Sequence, residues 1–152
     1  MNSNTAKTKS VVDEARFVAA SNWTGPADES TADKESTTVT RLWQERLEKT
    51  DAERFKKEVS IAGKMNEKID LVDFKEKVAY ELKVSGNNPG HEFYKDLFKV
   101  LIYNQNHNQI KLNTLVFITQ GKGVDKLEKG LGKVSADFIR RFGVNVELAR
   151  LD

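Results

Sequence analysis

The sequence predicts an α/β protein, a mixed sheet of four or five strands flanked by helices. Three observations lead there. Residues 68–85 carry two runs rich in Ile, Val, Leu, Phe and Tyr, parted by Lys75, Glu76 and Lys77, the pattern of an antiparallel hairpin. Residues 113–120 hold an apolar run, Leu115 to Ile118, bounded by polar residues, as in a central strand buried on both faces. Around these lie segments whose apolar residues recur at helical spacing.

The chain has 152 residues, enough for one compact domain. Its net charge is +2, from 25 basic and 23 acidic residues. Residues 1–36 hold four of the basic and six of the acidic ones, leaving 21 against 17 for the remainder. That mildly basic remainder fits a nucleic-acid partner without requiring one. With no cysteine, disulfides and thiolate zinc sites are excluded, and His91 and His107 are too few for a histidine-based metal site. No apolar run reaches membrane-spanning length and no signal peptide opens the chain, so the expectation is a cytoplasmic protein with no membrane partner.

Residues 1–38 read as an N-terminal arm. Residues 1–9 are polar and expected to fray; Ser10–Ser21 has Val11, Val12, Ala15, Val18 and Ala19 on one face, with Trp23 as an anchor. Residues 22–38 offer only Trp23, Ala27 and Ala32 for burial, too little to offset the entropy of ordering, which predicts a flexible linker. The main domain is expected over 39–152. Its first helix spans 39–55, with Leu42, Trp43, Leu47 and Phe55 as the apolar stripe. A short strand follows at 57–62, then the hairpin. A helix from His91 or Glu92 to Tyr103 buries Phe93, Leu97, Val100 and Leu101, widened by Phe98, Ile102 and Tyr103; Tyr94, Lys95 and Lys99 lie on a second face. After the strand at 113–120, a helix over 124–142 places Leu127, Leu131, Val134 and Phe138 on one stripe, weakened by Gly130 and Gly132. Lys122, Lys126, Lys129, Lys133, Arg140 and Arg141 gather there, either as a surface for a nucleic-acid backbone or as a solvated helix face. Residues 144–151 alternate as an edge strand. The glycines at 121, 123, 130 and 132 do not have P-loop spacing.

The hairpin carries charge where a strand is most apolar. Glu81 and Lys83 lie two apart and so point the same way; Asp70 lies about opposite them, on their face if the loop is even in length or bulged. Asp73, three residues on, points to the other face and is the second-choice ligand. Two carboxylates converging on a sheet repel each other, and a divalent cation relieves this. Mg²⁺, with Mn²⁺ able to substitute, takes oxygen ligands from one or two carboxylates and from water. A neighbouring lysine could orient a water or offset charge on phosphorus. The structural alternative is a salt bridge between Lys83 and Asp70 on an exposed sheet end.

Asp70, an intervening turn, then Glu81-Leu82-Lys83 resembles the PD-(D/E)XK nuclease superfamily, with Ile69 in place of the proline of its name. The resemblance covers about residue 40 to the C-terminus. It implies a restriction-endonuclease-like core in the order α-β-β-β-α-β-α-β. It also implies a metal-dependent endonuclease, with DNA favoured over RNA. Asp70, Glu81 and Lys83 would be catalytic, and Asp70, Glu81 and the Leu82 carbonyl would hold Mg²⁺. A first-helix glutamate, Glu45 or else Glu48, would join the metal or its waters; Glu58 on the neighbouring strand is a rival, and salt bridges to Arg41, Arg46 or Lys49 are the other account of the helix pair. Lys95, Lys99, Tyr94 and Lys122 are the expected nucleic-acid contacts. Cutting both strands of a duplex favours a homodimer. The competing class is a catalytically silent module of the same shape that binds nucleic acid or a partner protein within a larger complex.

Overall fold

The structure is a computed structural model and describes residues 3–152. In chain order it holds α1 (Ser3–Asn22), α2 (Glu29–Thr50), β1 (Phe55–Ser60), β2 (Lys68–Asp73) and β3 (Val78–Lys83), then α3 (Pro89–Asn106), β4 (Thr114–Thr119), α4 (Gly121–Arg140) and β5 (Asn145–Arg150). The class is α/β, with a five-stranded mixed sheet in the spatial order β1-β2-β3-β4-β5. β1, β2 and β3 form an antiparallel meander; β4 runs parallel to β3 and β5 parallel to β4.

Two apolar layers sandwich the sheet, and β3 shows how. Val78, Tyr80, Leu82 and Val84 face α1 and α2, packing with Val11, Ala15, Val39 and Trp43. Ala79 faces α3 and α4, in a layer with Phe93, Val100, Phe117 and Leu127. By the same alternation Glu81 and Lys83 point toward α3.

The N-terminal arm differs from its expectation. α1 begins at Ser3, so residues 3–9 are helical rather than frayed, and its apolar face is part of the core. Residues 29–38 are not linker but the first half of α2, so a boundary at residue 38 falls inside a helix. Asp28 caps that helix by accepting from the Thr31 amide at 2.8 Å. Glu35 holds the connection in place by accepting from the Thr24 amide and hydroxyl at 2.9 and 2.8 Å. A polar segment thus becomes ordered because it is capped and because Val39, Trp43 and Leu47 anchor the same helix.

Other boundaries move for local reasons. The β2–β3 loop is Phe74–Lys77, four residues, because Phe74 leaves the strand and Lys77 adopts a left-handed φ of 59°. α4 starts at Gly121, so Gly121-Lys122-Gly123 opens the helix rather than closing β4. At Gly132 the backbone turns to φ 57°, ψ 176°, which breaks the helix and resets its phase. Phe138, expected on the buried stripe, is therefore exposed, and Ile139 is buried instead. Val134 of that stripe, and Lys133, have side chains outside the described residues. Phe98 on α3 is also exposed rather than buried.

Candidate functional site

The β2–β3 ladder pairs Asp73 with Val78, Val72 with Ala79 and Leu71 with Tyr80, and there it stops. Continued by one step, the register sets Asp70 opposite Glu81. The even-length loop therefore brings the two carboxylates onto one face. At that step side chains take over from backbone pairing. The Asp70 amide donates to Glu81 Oε1 at 3.3 Å, and the Leu82 amide donates to Asp70 Oδ2 at 3.0 Å. The partner strand is distorted too: Glu58, next to this point on β1, has a left-handed φ of 51°.

Glu81 is fully buried, and its Oε2 has no hydrogen-bond partner. Burial, then the nearby Asp70 and Asp96 charges, push its carboxyl well above the usual carboxylate range, against the pull of Lys99 and Lys83. Lys99 from α3 lies 2.6 Å from Glu81 Oε1 and 2.9 Å from Asp96 Oδ1, and donates to the Lys68 carbonyl at 2.7 Å. Lys83 lies 3.4 Å from Asp96, 3.5 Å from Glu92 and 3.9 Å from Glu81. Burial alone would lower the Lys83 pKa, but Asp96, Asp70, Glu81 and Glu92 outweigh it and hold the group as an ammonium.

Asp70, Leu82 and Lys83 open into a cleft of about 450 Å³ whose other lining residues are Ser36, Thr37, Thr40, Arg41, Gln44, Lys57 and Glu58. Gln44 bridges its walls, donating to Glu58 Oε1 at 2.9 Å and to the Asp70 carbonyl at 2.7 Å.

Among the described residues no group of three or more His, Cys, Asp or Glu side chains is gathered to hold a metal ion. The donor set that is present suits a hard cation that keeps part of its water: two carboxylates, one with a bare buried oxygen. The Leu82 carbonyl is the third candidate. A residue's amide and carbonyl leave a strand on the same edge, and the Leu82 amide points to Asp70. Asp70, Glu81 and Leu82 could therefore hold Mg²⁺, with Lys83 beside them.

Of the sequence-predicted residues, the structure brings together Asp70, Glu81, Leu82 and Lys83. Glu45 is not with them: it pairs with Arg41 at 3.3 Å and does not line the cleft. Glu48 faces Lys57, at 3.9 Å. Glu58 does line the cleft. Asp73 serves structure: it is buried, bound to Arg54 through contacts of 2.8–3.0 Å, and accepts the Lys75 and Glu76 amides of the turn.

The expected nucleic-acid contacts scatter. Lys99 is no surface residue, its side chain being only 6% exposed and committed to Glu81 and Asp96. Lys95 pairs with Glu92 at 3.0 Å. Tyr94 borders a separate hollow with His91 and Lys126. Lys122 lies by Asn87, at 3.3 Å, in another. Gln44 and Asp96 were not foreseen. Asp96 had a legible signal: it falls between Phe93 and Val100 at the spacing of the buried stripe.

Among the described residues no helix is long and apolar enough to cross a membrane. No protein-family model, curated protein or solved structure matches this chain.

Proposed function

We propose that this protein is a metal-dependent endonuclease with a restriction-endonuclease-like core, hydrolysing phosphodiester bonds, with DNA favoured over RNA. One observation carries the reading. Asp70 and Glu81, whose buried Oε2 has no hydrogen-bond partner, come together where β2 and β3 part, beside Lys83, and Asp70 and Lys83 line a polar cleft. A surface salt bridge has no use for a carboxylate sunk this deep beside a like charge.

Bound Mg²⁺ would polarise the phosphate and lower the pKa of a coordinated water. Asp70 and Glu81 would hold the ion, with the Leu82 carbonyl. Lys83, kept as an ammonium, would orient water or phosphate and offset negative charge, rather than remove a proton. Lys99 and Asp96 would position Glu81 from behind. Cutting both strands of a duplex would use a homodimer, which size-exclusion chromatography tests.

One feature favours the silent-module alternative: Lys99 already supplies Glu81 with a counter-charge at 2.6 Å. Incubation with labelled duplex, single-stranded and branched DNA, and with RNA, in Mg²⁺ or Mn²⁺ decides. Cleavage that disappears in Glu81→Ala and Lys83→Ala while binding persists supports the enzyme. Binding without cleavage of any substrate refutes it and favours the module.

A further inference from the structure

The cleft that holds Asp70 and Lys83 has one wall whose chemistry the resemblance does not assign. Ser36, Thr40 and Gln44 follow one another at i, i+4, i+8 along α2, with Thr37 and Arg41 on the adjoining row. This is the polar side of the helix; Val39, Trp43 and Leu47 occupy its buried side. From Ser36 to Gln44 the wall runs about 12 Å at the helical rise of about 1.5 Å per residue. Ser36, Thr37, Thr40 and Arg41 line the cleft from this helix, and Lys57 lines it from β1. The only carboxylates in the lining are Glu58 and Asp70, and Gln44 engages Glu58.

Hydroxyls, guanidinium and ammonium groups are the side chains that bind phosphate and sugar oxygens without reading bases. None of them is locked. Arg41 is 54% exposed and meets Glu45 only at 3.3 Å; Lys57 is 40% exposed and lies 3.9 Å from Glu48. The Thr37 hydroxyl donates to the Asp33 carbonyl at 2.8 Å, a local bond that a phosphate oxygen can replace. Among the described residues no aromatic ring lines this cleft. Sites that grip single strands rely on rings on which bases stack. The exposed rings of Phe17, Tyr94, Phe98, Phe138 and Phe142 belong to α1, α3, α4 and the turn after it, and none of them lines the cleft.

We propose that this face of α2, Ser36, Thr37, Thr40 and Arg41 together with Lys57, is the track along which the sugar–phosphate backbone of a duplex reaches Asp70 and Lys83. This rests on the nuclease reading and specifies its substrate as double-stranded, held by its backbone. Contacts of this kind are insensitive to sequence and sensitive to salt.

The test is fluorescence anisotropy of the full chain with a labelled 20-mer as duplex and as single strand, in Ca²⁺ rather than Mg²⁺, over a series of NaCl concentrations. The variants are Arg41→Gln, the pair Ser36→Ala with Thr40→Val, and, for the rival surface, Lys95→Ala with Lys122→Ala. Thermal melts establish that each is folded. The expected result is duplex bound at least several-fold more tightly than single strand. Arg41→Gln should weaken duplex binding about three- to tenfold and reduce the salt slope by about one. The hydroxyl pair should weaken it with the slope intact, and the rival pair should change it less than twofold. Duplex affinity that ignores both α2 variants, or that collapses only in the rival pair, overturns the track while leaving a nuclease possible. Equal or tighter binding of single strand overturns the duplex assignment. A wild-type chain that binds no nucleic acid removes the nuclease reading itself.

Discussion

Replacing Lys99 with methionine keeps the length of the side chain and removes its charge. The ammonium lies 2.6 Å from Glu81, 2.9 Å from Asp96 and 2.7 Å from the Lys68 carbonyl. Both carboxylates are fully buried, so after the change the nearest cation to each is Lys83, at 3.9 and 3.4 Å. Removing one partner from a buried ion pair destabilises by about 3–5 kcal/mol, because the remaining charge is left in a poor solvent. Against a total stability of about 5–15 kcal/mol that is a large fraction. With a urea slope of about 2 kcal/mol per molar, the denaturation midpoint should fall by about 2 M. Trp43, fully buried, supplies the fluorescence signal. Adding Glu81→Gln to Lys99→Met should recover part of the loss, since one of the stranded charges is then gone. Mg²⁺ should also narrow the gap between the variant and wild type by supplying the missing counter-charge. A midpoint shift below about 0.5 M, or a double variant no more stable than the single, would refute the view that Lys99 sustains the buried carboxylates.

Four further outcomes are expected. Mg²⁺ should raise the melting temperature of the wild type and not of Asp70→Asn, and at about 100 times its Kd the stabilisation is about 2.7 kcal/mol; equal shifts in both proteins would exclude Asp70 as a ligand. Glu81 has its pKa raised by burial, so the folded chain binds a proton that the unfolded chain has released. Metal-free stability should therefore fall as pH rises from the ordinary carboxylate range through the raised value, and Glu81→Gln should flatten that slope in urea titrations at successive pH values. Arg54→Met strands the buried Asp73 and should destabilise by about 3–5 kcal/mol in urea, while Mg²⁺ affinity measured by calorimetry stays at the wild-type value. Gly123→Ala puts a Cβ 3.0 Å from Thr119 Cγ2 and 3.2 Å from the Gly86 carbonyl, so a loss of about 1–3 kcal/mol is expected in the same urea assay.

What the sequence made legible were the features that repeat. Alternation identified the hairpin but left open whether Asp70 shares a face with Glu81; that turned on Phe74 leaving the strand, which makes the loop four residues instead of the three from Lys75 to Lys77. The apolar run at Leu115–Ile118 marked a strand buried on both sides, and β4 is buried along its whole length. What stayed hidden depended on single residues acting at a distance. The polar segment before Val39 is helical because Asp28 caps it and Glu35 fastens Thr24, neither of which composition registers. Phe138 seemed buried until Gly132 turned the helix out of phase. Glu45 and Gln44 are neighbours, yet α2 is rotated so that the amide, not the carboxylate, enters the cleft. Lys99 looked like a surface lysine because its partners, Glu81 and the Lys68 carbonyl, are 18 and 31 residues away along the chain.

These cases share a physical basis that also explains where the candidate site lies. Each apolar layer holds its own face of the sheet, and the ladder between β2 and β3 ends at Leu71 and Tyr80, both fully buried. One step further on, the Asp70 amide donates to the Glu81 carboxylate and the Leu82 amide to the Asp70 carboxylate. The strands are thus joined through two carboxylates, which fixes the carboxylates as firmly as the strands. Such an arrangement repels itself unless cations stand behind it, and α3 supplies one in Lys99 while β3 supplies another in Lys83. Only Lys83 also reaches the cleft. On the nuclease reading the two lysines would divide the work: Lys99, sealed in, would keep Glu81 in place, and Lys83, partly open, would meet the substrate.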